Sequence, residues 1–277
     1  MKNFLIRTST AIIYVAIILG GLCIHPYAFL GVFGMITGLL LWEFYGLMSH
    51  FGNASLKRLA GTLGGVYLFF ACFMYAGGKA GADVFLPYLL FLLFVFVFEM
   101  YGKAPKPVHN WAFALLGQVY CAGLLSLLNF IAFASSPGAE FREGSFFAQA
   151  LFVLVWLNDS GAYLIGSAFG RHRLFERISP RKSWEGFFGG LAVALAFSQV
   201  LACYFPAVSG VNWLGLSATV VVFATWGDLT ESLLKRTLGV KDSGSLLPGH
   251  GGILDRFDSI LIAIPALYIY LRLFIQN

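Results

Sequence analysis

Residues 85–100, FLPYLLFLLFVFVFEM, carry a single charged side chain, and it is Glu99 near the end of the run. A helix rises about 1.5 Å per residue, so this stretch alone covers most of a hydrocarbon core roughly 30 Å thick. It shows no alternation of apolar and polar residues, which excludes the short alternating strands of a membrane β-barrel. Working outward, comparable segments lie near 10–24, 28–48, 60–76, 111–135, 146–168, 187–204, 212–229 and 258–275. The reading is an all-α polytopic membrane protein of about nine transmembrane helices.

Composition agrees. Of 277 residues, 59% are hydrophobic and 11% charged, against roughly 25% charged in soluble domains. The mean hydropathy is +0.81. Four scattered cysteines, Cys23, Cys72, Cys121 and Cys203, form no CxxC pair and read as packing residues, which excludes a disulfide scaffold. Lys2 and Arg7 before an apolar run also begin many signal peptides, but Leu22 is large for a residue preceding a lipoprotein cysteine such as Cys23, and the run is read as the first spanning helix.

Charge placement tests the helix count, because cytoplasmic loops carry the excess of Lys and Arg. With the N-terminus cytoplasmic and the C-terminus outside, only Lys79, Arg142 and Arg272 of the 18 basic residues fall outside. The net charge of +5 is then a sign of sidedness and of attraction to anionic lipid headgroups; no nucleic-acid partner is implied. With no internal repeat or linker, residues 1–277 read as one membrane domain. Residues 1–150 are mainly scaffold. Residues 151–277 are the catalytic region, because the polar segments 169–186 and 230–257 hold half of the basic residues.

Carboxylates inside apolar segments are costly unless paired, and so mark candidate sites. Glu43 and Glu99 lie near helix ends, where two readings stay open: an interfacial acid capped by loop Lys or Arg, or a site residue. Asp159, in LVWLNDSGAYLIG, lies about ten residues inward from the basic loop and reads as functional. In GDLTESLLKR, helical spacing puts Asp228, Ser232 and Lys235 on one face, with Glu231 adjacent. Asp255 and Asp258 stand three apart at the start of the last apolar segment, with Arg256 between them. Acids there are often helix caps, favoured by the helix dipole. With Asp228 they would equally form an oxygen-only site suited to Mg²⁺, and metal beside cations points to phosphate chemistry. The loop GVKDSGSLLPGHGG between them can bring backbone N–H groups close to an anion. RHRLFERISPRKSWEG carries Arg171, Arg173, Arg177, Arg181 and Lys182, more than a membrane anchor needs, and Ser179–Ser183 reads as a turn offering hydroxyls and cations to polyphosphate. His250, between two glycines, reads as a phosphate donor or proton carrier.

The stretch SLLKRTLGVKDSGSLLPGHGGILDRFD, residues 232–258, resembles the signature of the phosphatidate cytidylyltransferases (CDP-diacylglycerol synthases) through Ser232, Lys235, Arg236, Lys241, Asp242, Gly244, Pro248, His250, Gly251, Gly252, Asp255, Arg256 and Asp258. NDSGAYLIG with Asp159, and SPRKSWEG, resemble two further family blocks. In the latter, Arg181 and Ser183 stand where Lys and Thr are common. The first half is similar only in hydropathy and in Glu43. The resemblance implies an integral membrane enzyme, in a bacterial inner membrane with its site on the cytoplasmic side. It would condense CTP with phosphatidic acid to give CDP-diacylglycerol and pyrophosphate for phospholipid synthesis. The expected cofactors are Mg²⁺ on Asp228 and Asp255 with Asp258 in support, and a second cation such as K⁺. Lys235, Arg256 and His250 join Asp228 and Asp255 as expected catalytic residues. Asp159, Arg181, Lys182, Ser183, Ser232, Arg236, Lys241, Asp242, Gly251 and Gly252 are expected to bind substrate, and a homodimer is expected. Two other readings compete. A CTP-dependent lipid kinase would move the γ-phosphoryl group, and a transporter would show paired inverted halves, which the sequence lacks.

Overall fold

In the computed structural model, residues 2–51, 57–102, 104–133, 141–244 and 251–276 are described. Among them lie nine helices: α1 Lys2–Cys23, α2 Pro26–Phe51, α3 Arg58–Ala76, α4 Leu86–Tyr101, α5 Pro107–Ala132, α6 Phe141–Phe169, α7 Trp184–Tyr204, α8 Gly210–Thr237 and α9 Leu254–Phe274. Eight are long and apolar enough to cross a membrane, and Ser9–Cys23 of α1 is a shorter apolar stretch. The protein is thus an all-α polytopic membrane protein.

Local chemistry sets the helix ends. Proline opens α2 and α5 and lies in the first turn of α4, positions whose N–H would be unpaired anyway. Ser183 caps α7, its hydroxyl accepting the Gly186 N–H at 3.2 Å, and Ser209 caps α8 through the Asn212 N–H at 3.2 Å. Within α5 the residues Gln118–Gly123 form a π-helical turn. There the Gln118 amide donates to the Gly61 carbonyl and the Tyr45 hydroxyl, each at 2.7 Å, tying α5 to α2 and α3.

The core runs through α2, α3, α5, α6, α8 and α9, with Phe29, Phe33, Phe44, Phe69, Phe73, Phe152, Trp213 and Phe257 fully buried. Helices α6 with α7, and α8 with α9, are the most extensively packed pairs. By contrast α4 buries none of its residues and presents Leu89, Leu93, Phe96 and Phe98 outward, as a helix solvated by lipid can. Cys72 and Cys121 are buried, Cys23 and Cys203 exposed, and all four are free thiols.

One element differs in kind from the sequence reading. Ser179–Ser183, expected as a turn, is strand β2, paired antiparallel with β1, Arg173–Phe175. In the hairpin Ser183 lies opposite Arg173 and Ser179 opposite Phe175, which brings the basic residues of both strands onto one small ribbon. It connects α6 to α7 and carries Arg173, Arg181 and Lys182 back against the helices.

Candidate active site

Three helices bring carboxylates together. Asp159 stands on α6, Asp228 on α8 and Asp258 in the first turns of α9, and each lies within electrostatic reach of the other two. Gly227 explains how α8 and α9 come so close at this level. A Cβ there would lie 2.5 Å from the Asp258 carbonyl oxygen, so only glycine lets the two backbones meet. The hairpin supplies the countercharge. Lys182 Nζ forms an ion pair with Asp228 Oδ2 and also reaches Asp159 and Asp258 electrostatically. Ser232, one turn after Asp228, donates its hydroxyl to Asp228 Oδ1 at 3.2 Å, as the helical spacing predicts.

Two cavities flank this cluster, and Asp159 lines both. The larger, about 600 Å³, is bounded by Asn158, Asp159, Arg173, Arg181, Lys182, Ser183, Thr225 and Asp228 among others. It falls within the size range of small-molecule sites, roughly 300–1,000 Å³. The smaller, about 220 Å³, lies between α1, α6 and α9. Its polar groups include Thr10, Tyr14, Asp159, Asp255, Arg256 and Asp258, and its apolar wall is built from Ala11, Val15, Val155, Trp156 and Ile260.

Asp255 has a different setting from the one expected. Its Oδ1 accepts Lys235 Nζ at 2.6 Å and its Oδ2 accepts the Gly252 N–H at 2.8 Å, while the Ser243 N–H reaches both oxygens at 3.2 and 3.0 Å. Those N–H groups belong to the loop before α9, so Asp255 ties down that loop and does not cap the helix. Lys235 in turn contacts Glu231 Oε2 at 2.5 Å, so its ammonium is held between two acids and not by Ser232 or Asp228. Glu231 is completely buried, and Lys235 and Asp255 are nearly so. The backbone at Gly251 has φ +81°, open to glycine and strained for other residues, and a Cβ there would approach Asp255 Oδ2 to 2.7 Å.

The trio Asp228, Asp255 and Asp258 is therefore not assembled as one ligand set. Among the described residues no group of three His, Cys, Asp or Glu is arranged to hold a metal ion. Mg²⁺ does not require one, because it is commonly held by one or two carboxylates with water and substrate phosphate completing its shell. Asp228 and Asp258 fit that pattern, since they lie within electrostatic reach of one another beside Gly227, where α8 and α9 come close, with Lys182 nearby.

Arg236, Lys241 and Asp242 are exposed and line neither cavity; Arg236 donates instead to the Val240 carbonyl at 3.4 Å. His250 and Pro248 lie outside the described residues. Among the described residues no ion pair joins Glu43 or Glu99 to a loop Lys or Arg, although Arg58 lies within electrostatic reach of Glu43; Lys103 is outside the described residues. Glu99 accepts from the Asn110 amide at 3.1 Å, and Glu43 binds the loop that precedes α9. Sequence reading did not single out Thr10, Tyr14, Asn158 or Thr225 as cavity residues. Arg173 was visible only as one charge among several in the loop.

Comparison with known proteins gives this geometry a context. Residues 5–274 match the Cytidylyltransferase family. A Haemophilus influenzae protein named phosphatidate cytidylyltransferase is 34% identical over 281 residues, covering 94% of this chain and 95% of its own length. A Staphylococcus epidermidis protein of the same name is 33% identical over 274 residues, covering 96% of this chain and 98% of its own. One from Staphylococcus aureus is 47% identical over 131 residues, which is 47% of this chain and 50% of that protein.

Proposed function

The chain belongs to the cytidylyltransferase family, and on that premise we propose that it makes CDP-diacylglycerol and pyrophosphate from CTP and phosphatidate where its two cavities meet. The observation that carries the site assignment is the position of Asp159. It borders a large basic cavity on one side and a smaller cavity with an apolar wall on the other. The two substrates differ in the same way. CTP carries a soluble triphosphate, which the cations Arg173, Arg181 and Lys182 match. Phosphatidate carries one phosphate on a lipid, which suits Arg256 beside the Trp156, Val155 and Ile260 wall.

A phosphatidate oxygen held at Arg256 would attack the α-phosphorus of CTP in line. One P–O bond to the lipid phosphate forms, the bond from the α-phosphorus to the bridging oxygen breaks, and pyrophosphate leaves with that electron pair. No enzyme nucleophile is needed; orientation and charge stabilisation do the work. Lys182 and Arg181 would hold the departing pyrophosphate, and Ser232 would fix the orientation of the Asp228 carboxylate. Mg²⁺ on Asp228 and Asp258 would neutralise charge building on the phosphate oxygens. Asp159, the third acid of the cluster, would be available to a second cation such as K⁺.

A cytoplasmic site, in the inner membrane of a bacterium, is supported by the placement of the basic residues and by the hairpin and the start of α9 meeting at one end of the bundle. A homodimer is supported by the outward apolar face of α4, which includes Leu89, Leu93 and Val97 and can face a second copy as well as lipid.

Purified protein in detergent, given phosphatidate, Mg²⁺ and CTP labelled at either the α- or the γ-phosphate, tests the reaction. Only the α-label should enter lipid, and chelation of divalent metal should stop its entry. Entry of the γ-label would replace this reading with a kinase.

A further inference from the structure

Glu43 lies on α2, about 200 positions before the α8–α9 loop, and it is 5% exposed. Its two oxygens are divided between the two ends of that loop. Oε1 accepts the Ser243 hydroxyl at 2.6 Å, and Oε2 accepts the N–H of Ile253 at 2.7 Å and of Leu254 at 3.4 Å. Ile253 precedes the first residue of α9, and no side chain of its own segment caps that helix. Glu43 thus supplies from another helix the acceptor that the orphan N–H groups at the start of α9 require, at the dipole's positive end.

Two glycines make the approach possible. A Cβ at Gly244 or at Gly252 would collide with the Glu43 carboxyl group, and at Gly252 it would also strike the Ser243 hydroxyl. Asp255 ties the same two ends from the other side, through the N–H groups of Ser243 and Gly252. The stem of the loop is therefore held by two carboxylates, one of them on α2. The first turns of α9 that follow carry Asp255, Arg256 and Asp258.

We propose that Glu43 is a positioning residue that, by joining Ser243 to Ile253 and Leu254, sets the orientation of the first turns of α9 and so of Arg256 and Asp258 in the site. The kinetic part rests on the cytidylyl-transfer reading above; the structural part does not.

The amide of Glu43→Gln keeps one acceptor oxygen and presents an NH₂ group to either the hydroxyl or the backbone N–H groups. Loss of one charge-assisted bond at a reacting site corresponds to about a 10- to 100-fold change. Steady-state kinetics of the purified full chain should show kcat for lipid labelling falling by that factor, with KM for CTP and for phosphatidate within about threefold of wild type. Hydrogen exchange should quicken in peptides spanning the stem and leave those from α3, α6 and α7 unchanged. Ser243→Ala should lose less, and Glu43→Gln/Ser243→Ala no more than Glu43→Gln alone, because the two residues share one bond. Glu99→Gln, a matched change in the same half of the chain, should behave as wild type. Unchanged kcat in Glu43→Gln overturns the proposal. So does faster exchange throughout the helices, which would make Glu43 a packing residue, or a large rise in one KM at constant kcat, which would put Glu43 on a substrate. If the wild type transfers no cytidylyl group, the functional reading fails while the exchange experiment still judges Glu43.

Discussion

Asp228→Asn should reduce cytidylyl transfer by about a thousandfold or more while leaving the protein folded. Asn keeps the size of the side chain and one oxygen for the Ser232 hydroxyl, but it removes the charge that pairs with Lys182 and that would share the metal ion with Asp258. The stability cost is small by comparison. Both partners of the Lys182–Asp228 pair are 28% exposed, and pairs with that much solvent contribute about 0–1 kcal/mol. Label transfer and thermal unfolding measured on one preparation separate the two effects. Activity within about tenfold of wild type would remove Asp228 from the chemistry.

Lys235→Met should have the largest effect on stability. Here the ammonium is 12% exposed, between Glu231 at 0% and Asp255 at 11%. Its removal leaves a buried carboxylate without its cation, which costs about 3–5 kcal/mol, or a fall in the unfolding midpoint on the order of 10 °C. Asp255 keeps two backbone N–H partners, so Glu231 bears most of the penalty. Lys235→Met combined with Glu231→Leu should therefore regain most of the loss, as an apolar pair of similar size usually does for a buried ion pair. A single variant as stable as wild type, or a double variant no better than the single, would contradict the buried triad.

The helices were legible in the sequence because lipid demands long unbroken apolar runs whose backbone bonds close within each helix. The regular spacing on α8 was equally readable, since the contact from Ser232 to Asp228 depends only on the turn of one helix. The setting of Asp255 was not. An acid at a helix start serves a cap and a metal equally well, and only the fold decided that Lys235, Ser243 and Gly252 take up its oxygens. Glu43 is further beyond reach, because its partners lie 200 or more positions away and no spacing relates them. The hairpin escaped notice for another reason. Its strands are three and five residues long, and the longer is polar in sequence, so they lack the apolar alternation by which a strand is recognised. Tyr14 and Thr10 give no sign in an apolar helix that they face a cavity.

The central claim is direct transfer between two substrates held on either side of the acidic cluster, with no covalent enzyme intermediate. CTP carrying one sulfur in place of a non-bridging α-oxygen, used as a single diastereomer, makes the α-phosphorus a chiral reporter. The configuration of the resulting thio-CDP-diacylglycerol, measured after one turnover, should be inverted, as a single in-line displacement requires. Retention would mean two displacements, and hence a covalent intermediate on an enzyme nucleophile such as one of these carboxylates, which would contradict direct transfer.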